Sequence, residues 1–250
     1  MHYKCRHEKA LNCPERFHLT DAEVEWCVEM ANYNPPYYVA PVVIQNDESL
    51  NPVGWAEPEN YELIKNKVFK SYCGPLQFSH DGFPLNPAGR TGLRGRGLLG
   101  KWGPNFAADP IITRVNDNNQ LEMLAIQRKD TGQWAIPGGM VDSGELASQT
   151  LQRELKEEAG IVLNLSRAET IFKGYVDDPR NTDNAWMETT AAHLHLSSAE
   201  AKSLKLKAGS DAAKVQWLVL TPEHIKALYA DHGIWLLLLK NDKRYAPFFP

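Results

Sequence analysis

Along residues 106–250 apolar and polar positions fall into short, regular runs. PIITRV (110–115) and LEMLAIQR (121–128) alternate and bracket a polar DNNQ turn, which predicts two strands. WAIPGG (134–139) predicts a short strand running into glycines, and ETIFKGYV, METTAAHLHL and KVQWLVL predict three more. Helical spacing appears from about Leu146 to Ala159, and again at SSAEAKSL, TPEHIKALYA and IWLLLLK. Asp142 or Ser143 is a candidate cap for the first of these helices, and Gly160 its C-terminal stop. Residues 1–105 read differently. NPPYYVAP, NPVGW, CGPL and GFPLNPAGRTGLRGRG are dense in proline and glycine and predict turns and very short strands. The pattern therefore divides the chain into a smaller, irregular N-terminal domain, 1–105, and a regular α/β domain, 106–250.

Composition narrows the function classes. A formal net charge of −4 over 250 residues gives no basic face for nucleic acid. The longest apolar run, Ile234 to Leu239, is far short of the roughly 20 residues a bilayer requires, so no membrane contact is expected of this chain alone. The opening MHYKCRHEKALNCPERF lacks the apolar core of a secretory signal. Cys5, Cys13, Cys27 and Cys73 show no CxxC pairing, so reduced thiols in a cytosolic-type compartment are expected in preference to a zinc site completed by His2 or His7.

The candidate chemistry lies in GGMVDSGELASQTLQRELKEEAGI, residues 138–161. At about 100° per residue, Glu157 and Glu158 fall to either side of Glu154 on a helical wheel, while Leu151, Leu155, Ala159 and Val162 gather on a second face. Like charges three and four residues apart repel. An acidic face can simply be solvated, but three carboxylates projecting together above a glycine turn also make an oxygen-rich site for a hard cation, Mg²⁺ or Mn²⁺.

Spacing favours the second reading. Gly139, Glu145, Arg153-Glu154-Leu155, Glu157-Glu158, Gly160 and the aliphatic Ile161 match every defined position of the Nudix box, and a chance match in a chain this long has a probability on the order of one in ten million. The chain resembles the Nudix hydrolases in this box. The resemblance implies an α/β (α+β) Nudix fold with a mixed sheet sandwiched between helices, and cleavage of a nucleoside diphosphate linked to another group. It makes Glu154, Glu157 and Glu158 the metal ligands. Arg153 is expected to hold a glutamate by a bidentate pair, and Gly139 to permit close backbone approach. Glu145 either tunes the metal site from behind the ligands or favours the helix start through the macrodipole.

Beyond the box, NPAGRTGLRGRGLLGKWGPNFAADPIITR, WAIPGGMVDSGE and KGYVDDPRNTDNAWMET resemble ADP-ribose pyrophosphatases of the animal mitochondrial type. They equally resemble the C-terminal domain of the melastatin-type cation channel gated by ADP-ribose. This implies Mg²⁺-dependent hydrolysis of ADP-ribose to AMP and ribose 5-phosphate. The alternative is an ADP-ribose-sensing domain with little hydrolysis, continuous with a channel polypeptide. The intact core of Arg153, Glu154, Glu157 and Glu158 favours the enzyme. The first reading puts the chain in the mitochondrial matrix or cytosol, the second on the cytosolic side of a membrane. Asp177, Asp178 and Arg180 in the DDPRNTDNAW loop, and Tyr229 and Asp231 in ALYADH, match substrate-binding positions of those relatives. Arg90, Arg94 and Arg96 in GRTGLRGRG, set among glycines, are a candidate anion cradle, but the stretch lacks the Lys and Ser or Thr of a P-loop and reads as an interdomain loop, with a purely structural role the favoured alternative. His193 and His195 read as packing, and Trp134 equally as an adenine platform or as core.

Overall fold

A computed structural model describes residues 2–10, 12–142, 144–209 and 212–249. The chain forms two compact units, Met1–Phe106 with Gly174–Glu188, and Ala107–Lys173 with Thr189–Pro250.

The first unit has short regular elements: helix α1 (Lys4–His7), strand β1 (Tyr37–Val39), helix α2 (Pro41–Gln45), and strands β2 (Gln77–Phe78), β3 (Pro84–Leu85) and β4 (Arg94–Gly97). β1 pairs parallel with β4, and β2 antiparallel with β3. Ladders this short satisfy few backbone groups, and arginines supply donors in their place. Arg96 is fully buried against the Trp102 ring and donates to the carbonyls of Glu57 and Gly100 and to the Glu59 carboxylate. Arg90 lies against Trp26 and Tyr33 and donates to the carbonyls of Glu23, Glu25 and Val28. The arginines of GRTGLRGRG therefore divide. Arg90 and Arg96 fasten the unit internally, the structural alternative, in place of an anion cradle, and Arg94 is exposed. The Trp102 ring completes this interior with Tyr61 and Phe83.

The main sheet, most of it in the second unit, runs in the order β11–β6–β5–β10–β9, from strands β5 (Gly103–Val115), β6 (Leu121–Arg128), β9 (Glu169–Tyr175), β10 (Ala185–His195) and β11 (Ala212–Val219). Two-residue strands β7 (Trp134–Ala135) and β8 (Gly139–Met140) add antiparallel to β6 and β5. The β5–β6 hairpin closes at residues 116–120, where Asn119 takes φ 61° and the Asn116 carboxamide accepts from the N–H of Asn118 and Gln120.

Alternation decides the faces. Ile112, Leu124 and Leu194 pack against Leu155 and Ala159 of helix α3 (Ala147–Ala159) and Ala201 of helix α4 (Ser198–Ser203). On the opposite parity Thr113, His193 and His195 cluster with Tyr245. The Thr113 hydroxyl bridges the two imidazoles, and burial pushes both histidines below their usual range, so they are packing residues. Helices α5 (Pro222–Lys226) and α6 (His232–Lys240) complete the unit, with Trp235 stacked on Phe172 at 5.5 Å. Among the described residues no helix is long and apolar enough to cross a membrane.

Helix α3 runs one residue shorter at its start than its pattern suggests and stops at Gly160, which adopts φ 69°. The stop turns Val162 off the helix and leaves it 78% exposed, so the wheel that grouped it with Leu151 and Leu155 ran past the helix end. The last carbonyls of α3 are taken by a returning segment: Lys207 N–H donates to Ala159 O and Gly209 N–H to Glu158 O. A Cβ at Gly160 would meet Lys207 at 2.9 Å in a conformation L-residues disfavour. Gly160→Ala is expected to cost about 1–2 kcal/mol. The check is a lower urea midpoint at unchanged slope.

Candidate active site

Helix α3 opens without a conventional cap. Its N-cap, Leu146, has no side-chain acceptor, and the Gln149 side chain instead accepts the Leu146 N–H at 2.8 Å, one half of a capping box. The capping role expected of Asp142 falls to Gln149, because Asp142 lies four residues before the cap and donates its own N–H to Glu145 at 3.1 Å. Ser143, the other candidate, lies outside the described residues.

Two turns on, Arg153 gathers the acidic side chains. It meets Glu145 in a bidentate pair, Nε to Oε1 at 3.1 Å and Nη2 to Oε2 at 3.0 Å. Its Nη1 donates to Glu154 at 2.7 Å and to Glu157 at 3.2 Å. Nη2 also reaches the Met140 carbonyl at 2.8 Å, which ties the helix to β8. Glu145 and buried Glu154 respond oppositely. The Arg153 hydrogen bonds, helped by the Thr150 hydroxyl, hold the Glu145 carboxyl down to about 2. Burial pushes Glu154 above the ordinary carboxylate range despite the same guanidinium. Buried charge is costly unless paired, and Arg153 pairs several carboxylates at once.

The glycines bring backbone against these carboxylates. A Cβ at Gly139 would lie 2.2 Å from Glu154 Oε1, and Gly138 N–H donates to Glu158 Oε2 at 2.9 Å. Glu154, Glu157 and Glu158 thus line one side of a cavity of about 500 Å³, with Arg128, Lys129 and Arg153 among its cationic lining. Arg128 is itself held by a bidentate pair with Asp130 and lies 4.2 Å from the centre of the Tyr229 ring. Oxygen donors beside fixed cations suit a ligand that carries dense negative charge together with a hard cation.

Residues 106–238 match the model of the NUDIX domain, and residues 19–103 that of the NUDT9-like, N-terminal domain. A Caenorhabditis elegans protein whose name places it among the nudix hydrolases is 44% identical over 97% of this chain and 98% of its own length. The chain belongs to the Nudix hydrolase family. The mitochondrial ADP-ribose pyrophosphatase of Rattus norvegicus is 42% identical over 95% of this chain and 78% of that protein. Subfamily M member-like 2 of the transient receptor potential cation channels, from Nematostella vectensis, is 41% identical over 93% of this chain but only 17% of its own length.

Nudix hydrolases act with a divalent metal, and this donor set fits one. The carboxylates are hard oxygen ligands, Glu154 is too buried to be stably charged alone, and the adjoining glycines leave room for close approach. Among the described residues no three His, Cys, Asp or Glu side chains are grouped in metal-holding geometry, and Arg153 pairs with both Glu154 and Glu157.

The other sequence-selected residues of this Nudix chain are distributed between the units. Tyr229 lies beside the cavity through its contact with Arg128, and its N–H donates to the Trp134 carbonyl at 2.9 Å. Trp134 sits half-buried on β7, and Asp231 is the N-cap of α6. Asp177, Asp178 and Arg180 belong to the first unit. The Asp177 carboxylate accepts the N–H groups of Tyr3, Lys4 and Cys5, and buried Asp178 grips Arg180 through Nε at 2.8 Å and Nη2 at 2.7 Å. The remaining polar groups of this loop face inward: Asp183 accepts from Thr91 and Tyr33, Asn181 donates to Tyr175, and Asn184 donates to Pro84 O.

Three features escaped sequence reasoning. Arg128 ends β6 and Lys129 begins the turn after it, and the strand's alternation gave no reason to separate them from an ordinary polar terminus. His232 is a third: its Nδ1 accepts the Ile136 N–H at 2.9 Å and fixes α6 to the segment between β7 and β8 that leads into the glycines. An arginine and a lysine separated from WAIPGG by four residues were the available cue.

The Glu145 shift fixes a pH dependence. Its folded pKa lies below its unfolded value, so its contribution is complete above about pH 4.5 and is lost as pH falls toward 2. Glu154, raised on folding, acts with the opposite sign. Glu145→Gln is expected to flatten the acid limb of the stability–pH curve by up to about 3 kcal/mol, read by urea unfolding between pH 2 and 7.

Proposed function

We propose that this chain hydrolyses the pyrophosphate of ADP-ribose with Mg²⁺, giving AMP and ribose 5-phosphate, with Mn²⁺ able to substitute. The observation that carries the reading is the cavity in which the three box glutamates meet the cationic pair Arg128 and Lys129. The name of the 42%-identical rat relative supports the substrate. A divalent cation held by Glu154, Glu157 and Glu158 supplies charge neutralisation at the phosphates and a more acidic attacking water.

The chain's own residues do the rest. Arg153 and Gly138 orient the glutamates, and Gly139 keeps the space above Glu154 open. Arg128, immobilised between Asp130 and Tyr229, presents charge to phosphate oxygens with little rotamer entropy left to lose. Asp177, Asp178, Arg180, Tyr229 and Asp231 bind the substrate outside the bond that is cut, with Arg180 as the charged contact. The matches to residues 19–103 and 106–238 support assigning 1–105 to a substrate-side domain and 106–250 to the hydrolase domain. The four free thiols fit a reducing compartment, the cytosol or mitochondrial matrix.

A sensor domain within a channel is the second reading, supported by the 41% identity to the Nematostella protein. Turnover separates the two. Chromatography of ADP-ribose incubated with the chain and Mg²⁺ is expected to show AMP, none after EDTA, and at least a hundredfold less in Glu157→Gln/Glu158→Gln, a barrier increase of about 2.7 kcal/mol. ADP-ribose should still raise the melting temperature of that double variant. Binding without AMP in the unaltered chain would favour the sensor.

Arg180→Ala is expected to lower kcat/KM for ADP-ribose by about 1.5–3 kcal/mol of transition-state binding. It also leaves Asp178 buried without its cation, so the melting temperature must be measured on the same sample. Unchanged kcat/KM removes Arg180 from the substrate contacts.

A further inference from the structure

Asp109 lies on β5 outside the Nudix box, and its side chain is turned inward, the residue being only 6% exposed. The Thr189 hydroxyl on β10 donates to its Oδ2 at 2.5 Å. Its other oxygen is set against the glycine turn: a Cβ on Gly138 would lie 2.1 Å from Asp109 Oδ1 and 3.0 Å from the Ala108 carbonyl. Pairing of β8 with β5, Gly139 opposite Ala108, keeps Gly138 in that place. Gly138 then turns its N–H the other way, to Glu158 Oε2 at 2.9 Å. Thr189, Asp109, Gly138 and Glu158 form one continuous path from the sheet interior to the cavity wall.

Packing alone does not account for Asp109. A carboxylate this buried carries a desolvation penalty of several kcal/mol. This one also borders the same glycine that donates to Glu158. An apolar side chain there would be cheaper for the fold but would not keep both the close packing against Gly138 and an acceptor for the Thr189 hydroxyl.

We infer that Asp109 is a positioning residue for Glu158. It fixes the Gly138 peptide so that its N–H engages one oxygen of Glu158 and the carboxylate stays turned to the cavity. The inference rests on the reading of Glu158 as a metal ligand. Partners that orient a ligand from behind typically change metal affinity 10- to 100-fold when removed.

The test uses the full chain with Mn²⁺ alone and no ADP-ribose, counting free aqua ion by electron paramagnetic resonance so that turnover plays no part. Asp109→Ala and Glu158→Gln are each expected to weaken Mn²⁺ binding tenfold or more. Asp109→Asn, which keeps the shape against Gly138 and an acceptor for Thr189, should lose less than threefold. The double variant Asp109→Ala/Glu158→Gln should bind no more weakly than Glu158→Gln, because both changes act on the same carboxylate. Wild-type affinity in Asp109→Ala, losses that multiply in the double variant, or an equal loss in Asp109→Asn would each overturn the inference. Should Asp109→Ala melt far below the wild type, Thr189→Val, which removes the hydroxyl that aims Asp109, replaces it in the cycle under the same criteria. A wild-type chain that binds no Mn²⁺ overturns the metal-site reading as well. Weakening by Glu158→Gln but not by Asp109→Ala overturns this inference alone.

Discussion

The site depends on a single guanidinium. Glu154, Glu157 and Glu158 crowd one helix, where like charges repel, and Glu145 is drawn in beside them from the preceding loop. Arg153 makes that crowding tolerable because its planar fork donates in several directions, to carboxylates on three sides and to the Met140 carbonyl. A lysine could neutralise one of these charges but could not set the mutual orientation of them all. The same cation yields a strongly acidic Glu145 and a weakly acidic Glu154, and burial decides the difference.

Around that centre the two units solve the backbone hydrogen-bonding problem differently. The hydrolase unit does it with ladders, and its apolar clusters fall on α3 by simple alternation along β5, β6 and β10. The first unit has little ladder, and its arginines occupy carbonyls that sheet partners would otherwise take.

This contrast explains what could be read from the sequence. The strands and helices of residues 106–250 were legible because period two and period 3.6 are properties of consecutive residues, and the box because its spacing is local. The end of α3 was legible as Gly160, but its effect on Val162 was not, since a wheel has no means of stopping itself. The capping of α3 was misread because a good cap residue, Asp142, was available but geometrically too early. For Arg90 and Arg96 the cradle and structural readings both stayed open, because an arginine bonded to carbonyls looks, in sequence, no different from one bonded to phosphate. Arg128 over Tyr229, and Asp109 under Gly138, join positions about thirty to a hundred residues apart, and no local pattern records such a meeting.

The arginine fasteners have an evolutionary corollary. Arg16 donates to the carbonyls of Thr91, Pro179 and Asn181, Arg90 to those of Glu23, Glu25 and Val28, and Arg96 to those of Glu57 and Gly100. A carbonyl oxygen is the same whichever side chain its residue bears. The path of these loops is therefore fixed by three residues elsewhere, while the residues being held are left to drift in identity. Homologues can diverge widely across such loops without altering their course, provided the three guanidinium groups persist.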